Sequence, residues 1–290
     1  MTSLALCVLV ITLQQPSPPS ADWKDVDQIL GRPGTLQGES YRIGFPRSDL
    51  RVSVGPMTIK PAFALGSWVA FRKTGDSTAL LMGDLVLLES EIAPVIDALQ
   101  RGGVEQTALH NHLMRELPHI VYLHVGGRGR PGALASAVRE ALARTGTPPP
   151  TSAAAAPTPF DLDTAQIAQI LGAHGKVNGG VYQLSVPRAT PVMMDSVEVP
   201  PAMGVATAIN FQPTDGTNAA IAGDFVMIAS EVNPVIRALR SSGIEIAALH
   251  SHMLNETPRL LFMHFWAVGD AVILARGLRA ALDQMNVKRS

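Results

Sequence analysis

Two histidines one residue apart, a glutamate four positions later and a third histidine beyond it are the residues of this 290-residue chain best suited to chemistry: His110, His112, Glu116 and His124. The same set returns as His250, His252, Glu256 and His264. On an extended segment alternate side chains project to one face, so His110 and His112 share a face with Cα atoms roughly 6.6 Å apart, from a rise of about 3.3 Å per residue. Imidazoles at that spacing reach one ion at Zn–N distances of about 2.0–2.1 Å. Three neutral imidazoles with an open fourth position suit a divalent transition metal, and Zn, Cu, Fe and Ni are all compatible with this donor set. Glu116 and Glu256 then act as a fourth ligand, as a partner fixing an imidazole tautomer, or as a general base on metal-bound water. The competing reading is that these histidines hydrogen-bond backbone carbonyls beneath a hairpin.

The elements that must position them follow from pattern. Leu117 precedes Pro118 and is pushed to an extended conformation, as a strand connection requires. A hairpin symmetric about residue 117 sets His124 opposite His110 with Cβ atoms about 5 Å apart. Leu109, Leu113, Val121, Leu123 and Val125 then form a core side, and His110, His112, Tyr122 and His124 the other. Around residue 257 the second set behaves alike, with Leu249, Met253, Leu261, Met263 and Phe265 opposed to His250, His252, Phe262 and His264. A single β-bulge breaks this arithmetic.

The recurrence belongs to a longer repeat. Residues 83–124 and 223–264 align without a gap at a shift of 140, with nearly half the positions identical. Upstream, Tyr41 to Arg47 matches Tyr182 to Arg188 at a shift of 141. The chain therefore divides into a leader at 1–21, copy one at 22–146, a Pro/Ala-rich linker at 147–159 and copy two at 160–290, with the short linker allowing the copies to pack together. In copy one, helical periodicity over Trp23, Val26, Ile29 and Leu30 ends at Gly31. Strands are expected at Tyr41–Phe45, Ala62–Phe71 and Ala79–Leu88. Ser90 opens a helix that Gly102-Gly103 ends, and strands Val104–Met114 and His119–Val125 follow. A last helix runs from Pro131 to Arg144. The order predicts an α+β fold: two tandem homologous domains, each a mainly antiparallel sheet with helices on one face. Gly83-Asp84 and Gly223-Asp224 read as turn or bulge residues, or as partners orienting a histidine. Arg47 and Arg188 read as surface salt bridges or anion-binding forks, and Glu91 and Glu231 as helix-start charges favoured by the dipole. Trp68 and Phe71 read as core, His119 as exposed and His174 as structural.

A formal net charge of −1 gives no broad attraction to nucleic acid or anionic membrane. No phosphate loop, dinucleotide fingerprint, Ser/His/Asp order or redox Cys pair is present. Leu4 to Leu13 is an apolar run too short to span a bilayer but suited to the core of a secretory signal, although no Lys or Arg precedes it. Cys7, the only cysteine, lies within it with too little apolar chain ahead for a lipobox. Removal of this segment leaves a mature chain without thiols or a transmembrane span.

Trp23…Ile29-Leu30-Gly31, Tyr41…Pro46-Arg47 and Leu109-His110-Asn111-His112…Glu116…Pro118…His124 together resemble the domain-of-unknown-function family that includes the mycobacterial lipoproteins LppY and LpqO. The resemblance covers nearly all the chain after the leader, in two copies, and implies export and envelope association. His110-x-His112-x3-Glu116 also looks like the first metal motif of cupins. The cupins' downstream glycine and proline pattern is absent, however, and a helix precedes the motif where a jelly roll would have a strand. Three functions are open at this point. The first is an exported, periplasmic or cell-envelope protein that binds a metal ion, a metal-bearing ligand or another small ligand. The second is a metal-dependent hydrolase or three-histidine oxidoreductase, and the third an envelope interaction module without metal.

Overall fold

The computed structural model describes residues 23–150 and 160–288, so the expected leader and most of the expected linker lie outside the described residues. Copy one begins with helix α1 (Lys24–Leu30), closed by Gly31 at φ 71°, the left-handed conformation that glycine adopts most readily. Strands β1 (Thr35–Gln37), β2 (Ser40–Pro46), the short pair β3 (Ser53–Val54) and β4 (Met57–Thr58), and helix α2 (Pro61–Ala64) follow. Strands β5 (Gly66–Lys73) and β6 (Ala79–Leu88), helix α3 (Glu89–Arg101), strands β7 (Glu105–His110), β8 (Glu116–Leu117) and β9 (Ile120–Gly129), and helix α4 (Pro131–Leu142) complete it. Copy two repeats the series as α5 (Thr164–Leu171), β10 (Gly175–Asn178), β11 (Val181–Pro187), β12 (Met193–Met194), β13 (Val197–Glu198), β14 (Ala206–Pro213), β15 (Asn218–Met227), α6 (Ala229–Ser241), β16 (Glu245–His250), β17 (Glu256–Thr257), β18 (Leu261–Asp270) and α7 (Ala271–Leu282). A 3-10 turn at Pro201–Met203 stands where copy one has α2.

Each copy builds one antiparallel six-stranded sheet, in the order β1-β2-β5-β6-β9-β7 and β10-β11-β14-β15-β18-β16. The expected α+β class is observed in both halves. The strand expected from Ala62 begins only at Gly66, because Pro61 fixes φ at the first position of a helical turn and leaves α2 in front of it.

Strand β6 explains the layering. Its sequence ALLMGDLVLL is buried almost throughout, the pattern of a strand covered on both faces. Ala79, Leu81, Leu85 and Leu87 join the core under α1, α3 and α4. The alternate residues Leu80, Met82 and Val86 enter clusters that mix the two copies. In one of these, Phe63, Leu113 and Tyr122 meet Val181, Ala222 and Trp266; in the other, Ala70 and Met82 meet Val205, Met253 and Phe262. The sheets therefore face one another across a seam, with the main helices outside.

The seam is also tied by polar contacts. Arg42 donates to the Ala202 carbonyl at 2.7 Å and Gln183 to the Ala62 carbonyl at 2.6 Å, one in each direction between equivalent positions. Gln212 accepts from the Lys60 amide and donates to the Thr58 carbonyl.

Arg47 is wholly buried, which corrects the expected surface salt bridge. Its guanidinium grips Glu91 at 2.7 and 3.0 Å and Asp49 at 2.9 Å, and donates to the Val86 carbonyl. Glu91 also accepts from the Leu88 and Gly146 amides, so it is more than a dipole charge and joins β2, β6, α3 and the chain after α4. Arg188 and Glu231 repeat the clamp at 2.6 and 3.2 Å, with Ile228 and Asn286 amides as the further donors.

Candidate metal centre

Three observed features build the histidine site. First, β7 pairs with β9 so that Ala108 faces His124 and His110 faces Tyr122, with an irregularity between Gln106 and Ala108. In copy two Ala248 faces His264 and His250 faces Phe262. The expected pairing of His110 with His124 is thus displaced by two residues, because β8 leaves the hairpin to pair with β3 and moves its centre. A slip of two preserves face, so the histidines still share one side.

Second, that side is the seam. The division of apolar residues expected from parity holds for Leu123, Val125, Met263 and Phe265 in the helix-side cores, whereas Leu113 and Met253 turn into the seam. Leu109 and Leu249 are 51% and 48% exposed, which corrects their assignment to a core; they lie on edge strands. His112 and His252 fall just beyond β7 and β16, and their rings lie 3.4 Å from those of Tyr122 and Phe262.

Third, β6 brings Asp84 directly opposite His124, and β15 brings Asp224 opposite His264. Gly83-Asp84 and Gly223-Asp224 are consequently central strand positions and not turns or bulges. Glycine is required beside the aspartate: a Cβ on Gly223 would lie 1.9 Å from the Ala208 carbonyl oxygen, and one on Gly83 2.7 Å from that of Trp68. Gly223 also offers its carbonyl to His264 Nδ1 at 2.9 Å.

All six histidines meet in one cluster at the seam. Ring centres of His110 and His250 lie 3.6 Å apart, those of His112 and His264 3.9 Å, and those of His124 and His252 3.7 Å. The Nδ1 atoms of His110, His250 and His264 contact the carbonyls of Asn111, Ser251 and Gly223, and His124 and His252 find backbone partners at Gly83 and Gly204. The carbonyl-bonded reading of the histidines is therefore right for one nitrogen of these rings. On the other side of every ring, buried Nε2 has no hydrogen-bond partner among the described residues, and neither have the buried Oδ1 atoms of Asp84 and Asp224. Asp84 Oδ2 lies 3.7 Å from His112 Nε2, and Asp224 Oδ2 lies 3.2 Å from His252 Nε2 without hydrogen-bond alignment. A buried polar group left unpaired costs about 1–3 kcal/mol, so eight such atoms in one place call for a ligand. An imidazole whose Nδ1–H is held by a carbonyl presents Nε2 as a lone pair, the arrangement metals use.

Electrostatics favour the ligand-ready state. Burial, followed by neighbouring imidazoles, pushes the pKa values of His110, His112 and His124 well down. Burial does the same to His252, and to His250 and His264 against the pull of Asp224, His264 falling to about 4. Burial, followed by the nearby Asp224, pushes Asp84 up to about 7 despite Arg42. Asp224 is likewise raised by burial, against the opposing effect of His264 and His250. The rings are neutral at pH 7.

Glu116 and Glu256 stand apart from the sets of donor atoms that approach within 4.8 Å of one another among the described residues; the acids in those sets are Asp84 and Asp224. Glu116 accepts from the Ile120 amide and meets His119 at 2.9 Å, and Glu256 accepts from the Leu260 amide and meets Arg259. Both brace the loops around the cis bonds Leu117-Pro118 and Thr257-Pro258. The sequence signal for the aspartates was available: one carboxylate in the middle of a ten-residue apolar strand, twice. His174 is exposed and lines a cavity of about 570 Å³ with Thr164, Gln169 and Tyr182, within copy two.

Fold and site together define a duplicated α+β protein with a six-histidine, two-aspartate cluster at the seam between its halves. The chain belongs to the family described as Domain of Unknown Function (DUF1259), whose model matches residues 24–144 and again 165–284. A search of curated proteins finds no match. Among solved structures the chain is similar to the trimeric bacterial microcompartment shell protein PduB, at 12% identity over 87% of this chain and 93% of that one, with a TM-score of 0.21. EtuB from Clostridium kluyveri gives 11% identity over 86% and 90% with a TM-score of 0.20. Ethanolamine utilization protein EutL from Leptotrichia buccalis gives 9% over 74% and 80% with a TM-score of 0.18. No helix of the described residues is long and apolar enough to cross a membrane.

Proposed function

We propose that this chain is an exported protein that binds divalent transition metal, Zn, Cu or Fe among the fitting ions, through the histidine cluster at its seam. The observation that carries the reading is the convergence of six buried Nε2 atoms without hydrogen-bond partners. Neutral imidazole is the metal-binding form, so a cluster kept neutral by burial needs no proton displaced from its rings before it takes an ion. Export is supported by the apolar segment Leu4 to Leu13 and by the resemblance to the LppY and LpqO lipoproteins, which also suggests envelope association. Binding is favoured over catalysis because His124, His252 and His264 are buried and His110, His112 and His250 are largely so, leaving little room for a substrate.

The test is elemental analysis of the purified full chain after reconstitution with Zn²⁺ and removal of excess metal. The wild-type protein should retain zinc, and the combined variant His112→Ala/His252→Ala should lose most of it. Glu116→Gln/Glu256→Gln should keep the wild-type content, since both carboxylates serve the loops. A wild-type chain that retains no metal, or a histidine variant that retains all of it, overturns the proposal.

A further inference from the structure

Resting on that metal-binding reading, the geometry points to a dinuclear centre: two adjacent ions, one on His110, His112, His124 and Asp84, the other on His250, His252, His264 and Asp224. The ring spacings decide which histidines share an ion. Two imidazoles on one tetrahedral ion at about 2.0–2.1 Å diverge so that their ring centres lie about 5 Å apart. Within copy one, His110 stands 5.1 Å from His112 and 4.9 Å from His124. Within copy two, His250 stands 5.0 Å from His252 and 4.8 Å from His264. The pairs across the seam at 3.6, 3.9 and 3.7 Å are too close to diverge from one ion and have the spacing of stacked rings. His110 and His264 are 5.1 Å apart across the seam, but the His264 ring lies only 3.9 Å from that of His112, tilted by 31°, so an ion holding the His110/His112 pair excludes it.

The sets of mutually close donor atoms sort by the same criterion. The set His110, His124, His250 and His252 contains two pairs closer than 4 Å, and the set His110, His112 and His264 contains one. The two sets free of pairs closer than 4 Å are Asp224 with His250, His252 and His264, and Asp84 with His112 and His124, each confined to one copy, and His110 completes the second at 5.1 and 4.9 Å from its two histidines. No set holds more than four residues, so no single ion reaches all six rings. Each copy therefore supplies three histidines and one aspartate, and the close approach of one triad to the other places the two ions side by side in the seam. Two dications against two carboxylates leave the pair positively charged, which suits a bridging oxygen anion as a further ligand.

The experiment uses Cu²⁺ as the probe on the full chain, titrated to saturation and read by electron paramagnetic resonance. The wild-type protein should take two equivalents and show the half-field transition of a dipole-coupled Cu²⁺ pair. His110→Ala/His112→Ala should take one equivalent and lose the half-field signal while keeping an isolated Cu²⁺ spectrum. The mirror variant His250→Ala/His252→Ala should do the same, and serves if the first variant does not fold. Asp84→Asn should weaken one of the two equivalents. One equivalent in the wild-type chain, or two without coupling, overturns the dinuclear assignment while leaving metal binding intact. A wild-type chain that binds no Cu²⁺ and no Zn²⁺ overturns the underlying reading instead.

Discussion

His264 shows what burial does to a single residue in this protein. It is 2% exposed, its Nδ1 is held by the Gly223 carbonyl, and its pKa is driven down to about 4. A histidine whose folded-state pKa lies below its unfolded value of about 6.5 binds fewer protons folded than unfolded. Its contribution to stability is present above that unfolded value and is lost as pH falls through the folded one. All six seam histidines are shifted in this direction. Asp84 and Asp224 are raised and work the other way, the contribution of Asp84 being lost as pH rises toward about 7. Six imidazoles outnumber two carboxylates, so the metal-free chain should lose stability as pH falls from about 6.5 to about 4. Urea midpoints of chelator-treated protein across that window measure this, and a midpoint that stays level or rises on acidification contradicts a cluster of neutral rings.

Among the elements, β6 and β15 do most to position the chemistry. Each is covered on both faces, and alternation sends Asp84 or Asp224 into the seam while flanking residues fill the helix-side core. The Arg47–Glu91 clamp fixes the end of β6 against the start of α3. Removing one partner of a buried pair strands the other, at a cost of about 3–5 kcal/mol. Arg47→Ala should therefore lower the unfolding free energy by about that amount in a denaturant titration. A loss under about 1 kcal/mol would place this clamp with surface ion pairs, whose worth is small.

At the scale of the molecule, neither copy is finished alone. Phe63 of copy one meets Trp266 of copy two edge to face with ring centres 6.0 Å apart, and apolar clusters on both sides of the histidines draw residues from each half. Deleting a buried aromatic side chain costs about 3–5 kcal/mol, and an aromatic pair adds about 0.5–1.5 kcal/mol beyond area. Phe63→Ala and Trp266→Ala should each destabilise the full chain, and the double variant should cost less than their sum by about that pair energy. Strict additivity would mean that the two rings do not meet.

Much of this was legible in residues 83–124 and 223–264, where an ungapped repeat carries the duplication, helix α3 with its glycine stop, the α+β class and three histidines on one face of each hairpin. Local pattern could reach those features because periodicity and capping act over a few residues. It could not distinguish a hairpin centred at 117 from one centred at 116, since a slip of two keeps every side chain on its face. It also assigned Arg47 to the surface and Glu116 to the site. Which groups lie next to which across the seam is set by packing between residues some 140 positions apart, and only the tertiary structure decides that. The repeat determines that there are two triads; the stacking of one sheet on the other, driven by apolar faces that water would otherwise cover, makes them one cluster with Asp84 and Asp224 in it.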